Sequence, residues 1–88
     1  MATYRRVADV EAAPMQGETV IFNPATNQFC VLNETAAFLW QLLEEPRTEE
    51  QLRDDLRGAF DGVDATAAER DVREALEQFA ALGIAAPV

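Results

Sequence analysis

Eighty-eight residues allow one small domain with one core, and a net charge of −9, with arginine as the only cation, disfavours phosphate backbones and anionic membranes as partners. The chain has no Ser, His or Lys, which excludes Ser-His-Asp and Cys-His catalysis and the phosphopantetheine-bearing serine of an acyl carrier protein. No apolar run approaches the ~20 residues of a membrane span, and MATYRRVADVEAAP lacks the apolar stretch of a secretory signal. These features predict a cytoplasmic protein. A neutral or cationic partner suits its surface, although acidity also serves simply to keep a domain soluble.

Tyr4–Val10 reads as a short, irregular edge strand ending near Pro14. Gln16-Gly17 is a turn signal. Glu18–Phe22, rich in Val, Ile and Thr, reads as a strand. Asn23-Pro24-Ala25-Thr26-Asn27 is a turn cluster, because Pro presets φ and Asn tolerates left-handed geometry. Gln28–Leu32 is the returning strand, with Cys30 and Leu32 on one face and Phe29 and Val31 on the other. Both faces are apolar, which predicts that neither is left fully open in use.

Asn33 is a favourable N-cap, and Glu34 follows where the helix dipole favours a carboxylate. Ala36, Leu39, Trp40 and Leu43 then recur at core spacing, and Phe38 and Leu42 widen the stripe, up to a stop before Pro46. Thr48-Glu49-Glu50-Gln51 forms a capping box that opens a second helix, with Leu52, Leu56 and Phe60 on one face and an end near Gly62. Thr66-Ala67-Ala68-Glu69 offers another capping box. Val72, Leu76 and Phe79, joined by Ala75 and Leu82, predict a third helix that ends at a left-handed Gly83. Ile84–Val88 is a tail expected to dock on the core.

The fold class expected is therefore α+β, a single domain over residues 1–88. An N-terminal three-stranded antiparallel sheet is followed by three helices, resembling a winged helix-turn-helix whose strands come first.

Little in the sequence carries catalytic chemistry. Cys30 lies between Phe29 and Val31, and apolar neighbours raise a thiol pKa. The adjacent pairs Glu44/Glu45, Glu49/Glu50 and Asp54/Asp55 fall on solvated helix faces rather than opposite one another across a cleft. Asp61-Gly62-Val63-Asp64 lacks the ligand spacing of a calcium loop. No catalytic residue, metal or cofactor is expected. The third helix sets Arg70 and Arg73 against Glu69, Asp71, Glu74 and Glu77, which disfavours a nucleic-acid groove. Gln28–Leu32 carries no edge-blocking Pro or charge, so its edge is either a rail for an added peptide strand or is covered by a neighbouring element.

Val31-Leu32-Asn33-Glu34-Thr35-Ala36 followed by Phe38-Leu39-Trp40-Gln41-Leu42-Leu43 resembles the central signature of the PqqD-like family. Thr48–Leu56 is similar to that family's T-x-x-x-L helix, and Asp71-Val72 with Leu76, Phe79, Gly83 and Ile84 to its last helix. Phe79 stands where the family often has leucine. The resemblance covers roughly Glu18 to Ile84 and implies a recognition element for ribosomally made, post-translationally modified peptides.

In such elements the precursor's leader adds as a strand to the third strand of the sheet, in a groove beside the third helix. The module then presents it to a modifying enzyme, such as a radical SAM enzyme or a leader peptidase. Carried over, this implies a groove between Gln28, Phe29, Cys30, Val31 and Leu32 and the helix flank Arg70, Asp71, Glu74, Ala75 and Gln78. The opposite flank, with Arg73 and Ala80, is the alternative, and periodicity does not decide between them. Two other functions compete: a divergent winged-helix transcriptional regulator and a structural homodimerisation domain.

Overall fold

The computed structural model describes residues 3–88. The elements are β1 (Thr3–Arg6), β2 (Glu11–Met15), β3 (Glu18–Asn23), β4 (Gln28–Leu32), α1 (Glu34–Leu42), β5 (Arg47–Thr48), α2 (Glu49–Ala59), α3 (Ala65–Leu82) and β6 (Ala85–Pro87). The expected α+β class is observed, with an antiparallel three-stranded sheet β2-β3-β4 and three helices. A second small sheet, in the order β5-β1-β6, joins the amino-terminal segment to both later strands.

The amino-terminal reading needs correction. One irregular strand was expected over Tyr4–Val10, but the segment divides. Tyr4 pairs with Arg47 and Pro87 in the second sheet, and the strand beside β3 is Glu11–Met15. Its Glu, Ala and Pro residues have poor strand propensity, so pairing with β3 imposes the conformation. Pro14 is tolerated because β2 lies at a sheet edge. Gln16 and Gly17 both have positive φ, 36° and 85°, as a two-residue hairpin turn requires.

The helix starts follow local chemistry. The Asn33 side chain accepts from the Ala36 amide at 2.8 Å. Thr48 and Gln51 make both bonds of their capping box. The start of α3 differs from the expected box at Thr66. Asp64 is its N-cap, accepting from the Ala67 amide at 2.7 Å. Asp is the stronger cap, and Val63 before it and Ala68 after it both reach the core, in the manner of a hydrophobic staple.

The core draws Ile21 and Leu32 from the sheet, Leu39, Trp40 and Leu43 from α1, Leu52 and Leu56 from α2, and Val72 and Phe79 from α3. The tail docks as expected, with Ile84 buried and β6 paired to β1. Trp40 is 3% exposed, donates its indole N–H to the Ile84 carbonyl at 3.1 Å, and lies under the Arg6 guanidinium.

Asn23 closes the structure at the other end. Its side-chain amide donates to the carbonyls of Leu82 and Gly83, at 3.3 and 3.4 Å, while its oxygen accepts from the Ala25 amide at 3.0 Å. One buried side chain thus ties the tip of the β3–β4 hairpin to the end of α3. Asn23→Ala leaves those groups short of partners and is expected to cost about 1–3 kcal/mol, read as a lower denaturant midpoint at unchanged slope.

Candidate peptide-binding site

Among the described residues β4 pairs only with β3, so its other side is an open edge. Side-chain alternation gives its residues different surroundings. Leu32 is a core residue, 1% exposed, and Cys30 is half-buried. Phe29 and Val31 are 71% and 54% exposed, and Gln28 is exposed. The outward face is therefore open to solvent in the free chain. Phe29 stacks on Phe22 of β3, with ring centroids 4.6 Å apart. Burial raises the Cys30 thiol pKa, partly offset by a backbone hydrogen bond from Ile21.

The joint between β4 and α1 opens onto α3. Asn33, Thr35 and Ala36 on one side and Asp71, Glu74, Ala75 and Gln78 on the other line a depression of about 170 Å³. Four of the five flank residues singled out on α3 therefore gather at the end of β4. Ala75 is buried, and Glu74 and Gln78 stand exposed. The fifth, Arg70, does not line this depression. It borders a separate one with Thr66, Glu69, Arg73, Glu74 and Glu77. Its Nε lies 3.7 Å from an Asp71 carboxylate oxygen, an exposed pairing of little energetic weight. The alternative flank carries Arg73, held to Glu69 at 3.1 Å.

Asn33 and Thr35 were not singled out as site residues. The sequence marked Asn33 only as a helix cap, and nothing in it distinguishes Thr35. Two carboxylates, Asp71 and Glu74, give the depression an acidic wall, which favours neutral or basic side chains in any occupant. Among the described residues, no group of three or more His, Cys, Asp or Glu is placed to hold a metal ion, and no helix is long and apolar enough to cross a membrane.

The family profile described as coenzyme PQQ synthesis protein D (PqqD) matches residues 18–85. The chain belongs to the PqqD family. That match runs from β3 to the first residue of β6, so β1 and β2 lie outside it. Two solved structures resemble this PqqD-family chain closely. One is TbiB1 in complex with the TbiA(beta) leader peptide, at 26% identity and a TM-score of 0.80, covering 92% of this chain and 93% of that one. The other is a lasso peptide synthetase B1 complexed with the leader peptide, at 24% identity and a TM-score of 0.78, covering 96% and 98%. At that identity the second shows a shared fold. A search of curated proteins finds no match.

Proposed function

We propose that this PqqD-family chain, acting as one module over residues 1–88, binds the leader region of a ribosomally made precursor peptide and presents it to a modifying enzyme. The leader adds as a strand along the open edge of β4, between Gln28–Leu32 and the α3 flank. The observation that carries this reading is the open edge itself, which leads into the depression of Asn33, Asp71, Glu74, Ala75 and Gln78. Backbone pairing supplies affinity with little dependence on sequence, and side chains on alternate positions supply selection. Phe29 and Val31 would select apolar anchors on one face of the leader, and the acidic wall would favour a neutral or basic residue on the other.

The leader-peptide complex of TbiB1, which shares most of this chain's length, supports the same reading. The chain performs no chemistry of its own in this scheme. The partner enzyme, a radical SAM enzyme or a leader peptidase, supplies it in the cytoplasm. Neither rival function has an observation in its favour. The mixed and largely acidic surface of α3 suits neither DNA nor RNA.

Titration of the ¹⁵N-labelled chain with a leader peptide from a neighbouring precursor gene tests the site. Amides of Gln28–Leu32 and Asp71–Gln78 are expected to shift together. Shifts confined to Leu52–Phe60 would place the peptide on the wrong side of the molecule and overturn the assignment.

A further inference from the structure

The strand registers put a second feature on the opposite face of the sheet. Glu11, Ala13 and Met15 of β2 align with Phe22, Val20 and Glu18 of β3, and Phe22 and Val20 align with Phe29 and Val31 of β4. Residues two apart share a face, so Ala13, Met15, Val20, Phe22, Phe29 and Val31 form one apolar surface. The other face holds Thr19, Ile21, Asn23 and Leu32, all buried against the helices. No described element packs over the outer surface, and three large apolar side chains on it are more than half exposed: Met15 at 60%, Phe29 at 71% and Val31 at 54%. Part of it dips into a broad hollow between Ala13, Val20, Phe22 and Phe29.

A bound leader would leave most of this surface bare. Its strand would lie about 5 Å outside β4, while Ala13 and Met15 sit two strands inward, about 10 Å from β4. The rim has one sign of charge: Glu11 and Glu18 flank the apolar patch, and among the described residues neither pairs with a cation. A second copy is a poor occupant, because it would bring a like-charged rim and another −9 chain. Area argues the same way. Three short strands present roughly 250 Å² of face, well below the ~800 Å² per partner of a stable complex. A face this small gives a weak contact by itself, and a second tether strengthens it by raising the effective concentration. A leader peptide shared between module and enzyme is such a tether.

We infer that the outer face of β2-β3-β4 docks a folded partner whose apolar patch is rimmed by Arg or Lys, and that this partner is the enzyme receiving the leader-bearing precursor. The tether rests on the leader-binding reading; the face itself does not. Module and enzyme would then meet through two weak contacts, the shared peptide along β4, where Phe29 and Val31 meet it, and the adjoining sheet face of β2 and β3 with Ala13, Met15, Val20 and Phe22.

The test uses the whole chain, its precursor peptide and the purified modifying enzyme encoded beside it. Ala13→Glu and Met15→Glu place charge on exposed β2 positions, away from β4. Each is expected to weaken association with the enzyme about tenfold without peptide, the scale of one well-placed interface side chain. Affinity for the leader peptide alone should stay unchanged, which also shows that the fold survives. Glu11→Arg should weaken association too, and wild-type association should fall as salt rises. Enzyme association equal to wild type in both glutamate variants would overturn the proposal. So would sedimentation showing a wild-type dimer that the same variants dissolve, since the occupant would then be a second copy. If the leader fails to bind the wild-type chain, the proposed function fails, while the peptide-free association still decides this surface.

Discussion

Val31→Pro is expected to weaken leader binding by about thirtyfold while leaving the chain folded. In an antiparallel ladder, successive amides of a strand point alternately toward one neighbour and the other. The two-residue Gln16-Gly17 turn makes Met15 and Glu18 a bonded pair, so the amides of Glu18, Val20 and Phe22 point toward β2 and that of Ile21 toward β4, where Ile21 and Cys30 form a bonded pair. The Val31 amide then points away, toward the open edge. Proline there removes one donor and leaves a carbonyl of the incoming strand unpaired, together worth about 2 kcal/mol. Cys30→Pro is the control. It breaks the bonded phase, so its effect should appear in stability. Isothermal titration with the leader and a denaturant curve on each variant separate the two. If Val31→Pro binds the leader as wild type does, the peptide does not lie on this edge.

Phe79→Ala is expected to destabilise the chain by about 3–5 kcal/mol, the cost of emptying a large aromatic site. Phe79 is fully buried on α3, and the Ile84 amide bonds its carbonyl where the helix turns into β6. A chain of this length has roughly 4–13 kcal/mol of stability, so the variant would be partly or largely unfolded. Phe79→Leu keeps most of the volume and should cost no more than about 1.5 kcal/mol. Urea unfolding distinguishes the two. Equal midpoints for alanine and leucine would mean that the site collapses around the smaller side chain.

What the sequence made legible was local. Asn33 and the Thr48–Gln51 box announce their helices because a cap acts within one turn. The stripes through Trp40, Leu56 and Phe79 mark the core because helical period and burial coincide. The second sheet left no such mark: Tyr4 meets Arg47 and Pro87, partners fixed only when the whole chain has packed. Glu11–Met15 is a strand through its neighbour rather than its own residues. At α3 the Thr66–Glu69 spacing pointed to a box, whereas the cap is Asp64, two residues earlier, whose carboxylate takes the Ala67 amide.

The site divides in the same way. An unguarded β4 edge can be read from its residue types, since no Pro or charge blocks it. Which flank of α3 stands beside it cannot, because periodicity gives a face without naming the neighbour on either side. Packing of α3 brings Asp71, Glu74, Ala75 and Gln78 to the Asn33 joint and leaves Arg70 outside it.

The single tryptophan has a spectroscopic consequence. Trp40 is sealed beneath Arg6 and anchored to Ile84, on a side of the molecule lined by Arg5, Val10 and Glu44. Its emission therefore reports whether the core is intact. A peptide settling along β4 touches none of these groups, so the intrinsic fluorescence should stay silent during a titration that succeeds. A change in colour or intensity on adding leader would signal loosening of the core, and a fluorescence assay of binding needs a dye on the peptide.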